Sequence, residues 1–368
     1  MRVLLAILNA SVARGGAERY TRDLATAFLS RGIDVSTVAT TFDADWPGTK
    51  HEVTLRAMTR AGAYSGYLAK VDKLIDGEQF DIVHAMLPVR RCDLYHPHAG
   101  IAAETKRWGP MEHLNRRRRG MLLAERDLLI SADPPVTVSL SNYVLRRFRA
   151  VYPGAPSEVV LNGTDTSRFD PDGTGDLRRQ VRKEWGIQSH EKVILCVAQD
   201  FARKGVPVAV RAMARMADLP AKLVVVGRDD PEPVLSLAKS LGVEDRVVLA
   251  GATKDTRGAY VAADLFTLPT YHDPCSLVVI EALAMGLPVV STVFNGSCEW
   301  MRDGVHGRIL AEVDAEVLAA ALRMYLTDDE KRESASRACL ALRGELSSEH
   351  HVSRILRSYE KAMVERVR

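Results

Sequence analysis

The sequence predicts an α/β protein built from two doubly wound parallel sheets. Short runs rich in Val, Ile and Leu alternate with amphipathic segments, the pattern of parallel strands joined by crossover helices. The alternation occurs twice, and the two series are separated by TDTSRFDPDGTGD, a segment dense in Asp, Gly, Thr and Pro. At 368 residues the chain exceeds one ordinary core and suits two domains of typical size. The expected domains are residues 1–168 and 169–345. A helical tail, 346–368, is expected to cross back to the first.

The first series of strands reads as VLLAIL (3–8), DVSTVAT (34–40), DIVHAM (81–86), PVTVSL (135–140) and EVVLNG (158–163), with helices near 17–31, 63–76, 112–131 and 141–151. The second reads as VILCVAQ (193–199), KLVVVG (222–227), RVVLAG (246–251), DLFTLPT (264–270) and PVVST (288–292), and the chain after Ile309 reads as helical. In YHDPCSLVVIEALAMGLPVVST, Asp273-Pro274 has the form of a helix N-cap followed by Pro at the first helical position, which predicts a helix over 274–285 closed by Gly286. Two sheets of this kind are expected to bind ligand at the carboxyl ends of their strands, in a deep cleft between the domains.

Composition narrows the class. Hydrophobic residues make up 46% and charged residues 26%, as in a globular protein, and no run approaches the roughly 20 apolar residues that span a bilayer. MRVLLAIL runs directly into polar NASVARGG and makes a poor signal peptide, so a cytoplasmic protein is expected. The five cysteines form no CxxC pair, which points to neither a zinc site nor a disulfide framework. A net charge of +3 does not suggest a nucleic-acid binder, but residues 1–170 hold 23 Lys+Arg against 19 Asp+Glu, and the remainder 27 against 28.

Three stretches could carry chemistry. In NASVARGGAERY, Gly15 and Gly16 follow the first strand and precede a helix, where backbone N–H groups can approach an anion or sugar phosphate; a plain chain-reversing turn is the alternative. The pattern is not G-x-G-x-x-G and no P-loop Lys follows, which weakens a dinucleotide or nucleoside triphosphate reading. In AQDFARKGV, Arg203 and Lys204 lie between a strand end and a helix start, suited to neutralising a departing diphosphate without a metal, or else forming a solvated basic loop. Asp273 heads the third stretch, and Glu281 lies two turns into its oily helix. A carboxylate there needs a partner, and the vicinal hydroxyls of a ribose would serve, as would an Arg or solvent.

The spacing of Asp273 and Glu281 in DPCSLVVIE, followed by AMGLPVVST and preceded by DFARKG, resembles the retaining glycosyltransferases of the GT-B fold, family 4. GGAER, LNGTDTSRF and FNGSCEWMRDGVHGRIL extend the likeness over nearly the whole chain, and it is strongest to bacterial members that add glucose to the heptose region of the lipopolysaccharide core. The resemblance implies that Gly15 and Gly16 border the donor diphosphate, that Arg203 and Lys204 bind it, and that Glu281 holds the ribose. It also implies that Asp273 faces the donor sugar beside the amides of Cys275, Ser276 and Leu277, and that Asn162 and Gly163 lie at the crossover between domains. His98, in YHPHAG, matches loosely a polar residue placed beside the transferred sugar. The family's usual first acid is Glu and its usual Phe-Gly is here Cys275-Ser276, so the donor-sugar contact is where this chain departs from the pattern.

A basic stretch, NRRRRG, sets Arg116, Arg117, Arg118 and Arg119 together, suited to an anionic membrane surface or a phosphorylated acceptor, with a solvated helix face as the alternative. The expected activity is therefore a metal-independent, retaining transfer of a hexose from a nucleoside diphosphate sugar, UDP-glucose by likeness, to a lipid-linked acceptor at the inner face of the cytoplasmic membrane. The alternatives are a nucleotide-sugar epimerase of the same fold and a non-catalytic membrane- or carbohydrate-binding protein.

Overall fold

A computed structural model describes residues 1–55, 60–98, 100–103, 116–253 and 255–366, and these divide into two compact units. Met1–Leu161 together with Glu349–Arg368 form one, and Asn162–Ser348 the other. The division falls at Leu161 because the chain beyond it is bound within the second unit: the Thr164 N–H donates to the Leu346 carbonyl at 2.8 Å and the Ser348 N–H to the Thr164 carbonyl at 2.9 Å.

In the first unit, β1 (Arg2–Ala6), α1 (Gly16–Leu29), β2 (Asp34–Ala39), β3 (Thr49–Glu52), α2 (Arg60–Gly77), β4 (Ile82–Ala85), β5 (Leu94–Tyr95), α3 (Arg116–Leu129), β6 (Val136–Ser139), α4 (Asn142–Val151) and β7 (Ser157–Val159) alternate along the chain. The seven described strands pair in the order β3-β2-β1-β4-β5-β6-β7, all parallel. β3 and β5 had no counterpart among the expected strands. TKHE offers no buried face, and β5 is a two-residue strand inside CDLYHPH.

In the second unit, α5 (Gly175–Glu184), β8 (Lys192–Val197), α6 (Val206–Arg215), β9 (Ala221–Val226), α7 (Glu232–Ser240), β10 (Val247–Gly251), α8 (Arg257–Ala262), β11 (Leu265–Leu268), α9 (Leu277–Ala284), β12 (Val289–Thr292) and β13 (Gly307–Leu310) are followed by α10 (Ala315–Leu326), α11 (Asp329–Ala341) and α12 (Arg343–Leu346). Its six described strands pair in parallel in the order β10-β9-β8-β11-β12-β13. β13, within HGRIL, is a further strand that the alternation did not reveal.

The closing helix α13 (Ser348–Arg366) packs on the first unit. Val352, Ile355, Tyr359 and Ala362 share one buried cluster with Val3, Leu5, Leu24, Phe28 and Ile82. Polar contacts fix its register, as Lys361 Nζ bonds Glu158 at 2.7 Å and Arg354 donates to the Val159 carbonyl at 2.9 Å. Among the described residues no helix is long and apolar enough to cross a membrane.

Each sheet reverses its winding once, between β1 and β4 in the first unit and between β8 and β11 in the second. The carboxyl ends of those strands are where an open parallel sheet leaves a crevice, because successive crossovers depart to opposite faces there.

Candidate active site

In the second unit β8 ends at Val197 and delivers the loop carrying Asp200, Arg203 and Lys204, while β11 ends at Leu268 and delivers Pro269–Asp273. The two loops are bound to each other. Lys204 Nζ forms an ion pair with Asp273 Oδ2, Arg203 Nη1 donates to the His272 carbonyl at 3.0 Å, and the Arg203 carbonyl accepts from the Tyr271 N–H at 3.0 Å and Thr270 Oγ1 at 3.1 Å. Gly205 makes this approach possible: its φ is 76°, and a Cβ there would lie 2.0 Å from the Pro269 carbonyl oxygen. Asp200, also at positive φ (60°), accepts from Arg203 Nε at 2.8 Å. The Lys204–Asp273 pair is largely buried, with side-chain exposures of 14% and 8%.

The expected helix over 274–285 is corrected. α9 begins at Leu277, with Ser276 as its N-cap residue and no side-chain cap, and Asp273 caps nothing. Its backbone is bridged to the segment after β12, the Asp273 N–H donating to the Phe294 carbonyl at 2.9 Å and its carbonyl accepting from Gly296 at 3.0 Å, and its carboxylate turns to Lys204. Ion pairing to a buried ammonium has prevailed over local capping. The helix does end as read, since Gly286 follows Met285 at φ 74°.

Cys275, Ser276 and Leu277 connect Asp273 to α9. Ser297 Oγ donates to the Ser276 carbonyl at 2.8 Å and contacts Cys275 Sγ at 3.4 Å, and burial pushes the Cys275 thiol up to about 12, so it rests as a neutral thiol. Glu281 is 6% exposed on α9, and its Oε2 accepts from the Tyr260 hydroxyl of α8 at 2.7 Å. Burial, then the nearby Glu281 carboxylate, keep the Tyr260 phenol protonated and donating. This contact orients the Glu281 carboxylate on α9. Tyr260, in RGAYVAADLF, gave no signal beyond helical periodicity.

In the first unit Gly15 and Gly16 stand at the start of α1, on the loop leaving β1. Gly15 is extended (φ 162°), and a Cβ on Gly16 would meet nothing within 4 Å, so the turn itself does not demand glycine at Gly16. Asn162 opens the second unit, and its carbonyl accepts from the Trp300 indole at 3.1 Å. Arg116–Arg119 begin α3. Arg119 is exposed and Arg118 half-buried, while the Arg116 and Arg117 side chains lie outside the described residues, as does much of the expected 112–131 helix before Arg116.

His98 does not stand alone. It lies in a cluster with His84, His96, His351, Tyr20 and Tyr359, at the carboxyl ends of β4 and β5 and against α1 and α13. Tyr359 Oη meets His84 Nδ1 at 2.8 Å, His84 Nε2 meets His96 Nδ1 at 3.2 Å, and Tyr20 Oη meets His351 Nε2 at 2.8 Å. The His98 ring lies tilted against those of Tyr20 and His96, with centroids 3.9 Å and 4.2 Å away. Burial, reinforced by the neighbouring imidazoles, lowers His96 and His98 well below the ordinary histidine value, and burial lowers His84 to about 3 and His351 to about 4. The cluster is therefore neutral at pH 7.

These shifts fix a pH dependence. Histidines neutral in the fold but titrating near 6.5 when unfolded contribute stability that is complete above pH 6.5 and is lost as pH falls toward 4, because the unfolded chain then binds more protons. His84 and His351 each steepen the loss by up to about 1.4 kcal/mol per pH unit. Urea midpoints should fall between pH 7 and pH 5, and His351→Gln should flatten the slope. An equal slope in the variant would remove His351 from the account.

Comparison with known proteins agrees with this architecture. Residues 14–168 match the model of Glycosyltransferase Family 4, and residues 178–339 that of Glycosyl transferases group 1. The chain is thus a glycosyltransferase of the GT-B fold, with one of these family domains in each half. In particular it is similar to the lipopolysaccharide glucosyltransferase WaaG of Escherichia coli K12, with 26% identity over 330 residues, covering 86% of this chain and 88% of that protein. A crystal structure of WaaG, a glycosyltransferase involved in lipopolysaccharide biosynthesis, superposes with a TM-score of 0.81 at 24% identity, covering 98% of both chains. The structure of Anabaena Alr3699/HepE in complex with UDP-glucose superposes with a TM-score of 0.77 at 18% identity, covering 98% of this chain and all of that one.

Proposed function

We propose that this glycosyltransferase moves a hexose, glucose by preference, from a nucleoside diphosphate sugar to a saccharide acceptor on a lipid or lipopolysaccharide core, with retention of configuration. The carrying observation is the pair of cations, Arg203 and Lys204, at the winding reversal of the second unit, with Asp273 paired to one of them and Glu281 oriented by Tyr260. Arg203 and Lys204 neutralise the charge that grows on the diphosphate as the anomeric bond breaks. Asp273 then has two tasks, holding Lys204 in place and facing the donor sugar with the amides of Cys275, Ser276 and Leu277. Glu281 receives the ribose hydroxyls. The Gly15 and Gly16 amides serve the diphosphate, and a glycine at Gly16 keeps open the space that a ligand would enter.

The acceptor hydroxyl attacks on the face the diphosphate leaves, and its proton passes to a phosphate oxygen. With two fixed cations the step needs no metal, and His98, neutral, supports the sugar without acting as an obligatory base. The names of the relatives above support a glucosyl transfer and UDP-glucose as donor. The exposed Arg119, together with Leu123 on α3 and Ile130 directly after it, exposed to 56% and 59%, supports peripheral docking at the anionic inner face of the cytoplasmic membrane.

A panel of UDP-, GDP- and ADP-sugars tests the reading by thermal shift: UDP-glucose should raise Tm most, since a ligand at a hundredfold excess over its Kd adds about 2.7 kcal/mol to the stability of the fold. No shift with any of them would overturn it, and conversion of the donor alone to an isomer would identify an epimerase. Sedimentation of the same protein with anionic but not neutral vesicles is the expected result for the membrane contact.

A further inference from the structure

We propose that Glu125 is a positioning residue for the transfer reaction, its carboxylate holding the segment that carries His98 at both ends. Glu125 lies on α3 and is wholly buried. Its Oε2 accepts from the Tyr95 hydroxyl at 2.6 Å and from the Ala102 N–H at 2.6 Å, and its Oε1 accepts from the Ala103 N–H at 3.0 Å and the Tyr152 hydroxyl at 3.1 Å. Tyr95 directly precedes His96-Pro97-His98, and Ala102 and Ala103 follow them. One carboxylate therefore holds the Tyr95 side chain before the turn that presents His98 and the backbone after it. The turn is also closed locally, where the Gly100 N–H donates to the Pro97 carbonyl at 3.0 Å with Gly100 at φ 83°.

An acid is a costly way to build this contact if packing alone were needed. Removing a carboxylate from water is expensive, and an apolar residue of similar volume commonly serves stability as well or better. Four donors offset the cost only in part, since burial still raises the Glu125 carboxyl above its ordinary value. What the carboxylate supplies, and a Leu could not, is simultaneous acceptance from two main-chain amides and two hydroxyls on separate elements. Such a clamp restrains the residues that flank His98, and a misplacement of about 1 Å in a reacting group costs about 10²-fold in rate.

The inference rests on the reading of His98 given above, and a double-mutant cycle separates the two. Transfer from UDP-glucose is measured for the wild type, Glu125→Gln, His98→Ala and the double variant, below each protein's Tm, with UDP affinity measured alongside. Glu125→Gln places an NH₂ where one N–H donor pointed. It should lower kcat by about ten- to a hundredfold and leave UDP affinity within about twofold, since Arg203, Lys204 and Glu281 belong to the other unit. On the His98→Ala background its further effect should be small, as expected for residues acting through one another. Tyr152→Phe removes a bond to the same carboxylate from a residue outside the segment that carries His98 and should lower kcat less than Tyr95→Phe, which removes one from the residue that begins it. Full multiplicativity of the two effects, an undiminished Glu125→Gln rate, or equal losses for the two Tyr variants would overturn the proposal. A wild-type rate for His98→Ala would instead sink the reading of His98, and the proposal with it. Should Glu125→Gln fail to fold, the Tyr95 and Tyr152 pair decides alone.

Discussion

Lys204→Ala should cut turnover by about 10²–10³-fold, the usual consequence of removing one fixed donor from a developing anion, while donor affinity falls by no more than about tenfold. The difference follows from timing. In the bound donor one diphosphate oxygen is still bonded to the sugar, and only as that bond breaks and its electron pair stays on the oxygen does the additional negative charge appear beside Lys204. The variant also strands Asp273, which is largely buried, and losing one partner of such a pair costs about 3–5 kcal/mol of stability. Asp273→Asn in the Lys204→Ala background relieves that stranded charge. If activity returns with stability in the double variant, Lys204 served the fold; if stability returns and turnover stays well below that of Asp273→Asn alone, it serves the leaving group. A nearly unchanged kcat in Lys204→Ala would refute the assigned role outright.

Glu281→Gln should raise the donor's KM by about 10–100-fold with a smaller change in kcat, because charge-assisted hydrogen bonds to two ribose hydroxyls are worth about 1.5–3 kcal/mol. Tyr260 still has an amide oxygen to donate to, so α8 and α9 stay joined and the fold is spared. A 2′-deoxyribose donor sharpens the measurement: it should bind worse than the natural donor to the wild type, and about equally to Glu281→Gln. Equal discrimination by both proteins would mean that the carboxylate does not meet the ribose.

The strands that center each sheet were legible because they are buried on both faces and read as unbroken apolar runs, Val3–Ala6 and Val193–Val197 being examples. β3 and β5 were not, because an edge strand with exposed residues and a two-residue strand carry no period to detect. The cations Arg203 and Lys204 were legible from their place after a strand, and Glu281 from its place in an oily helix. The same criterion applied to MLLAERDLL would have singled out Glu125. The histidine cluster could not be read, since it joins residues 84, 96, 98 and 351, and only folding brings the last of these to the others. Asp273 shows a different limit: Asp-Pro is a sound local signal for a helix start, yet a long-range pair with Lys204, 69 residues earlier, outweighed it.

The placement of α13 has a consequence for how the molecule is made. Chains usually complete their leading domain while the rest is still on the ribosome. Here Val352, Ile355 and Tyr359 fill the interior between Val3, Leu5 and Phe28, so the leading unit waits, with that apolar surface unfilled, until the trailing one has been synthesised. The central unit, contiguous from Asn162 to Ser348, has all its parts first. Chains ended at Ser348 and released from the ribosome should accordingly protect the second unit from protease and leave the first open to cleavage.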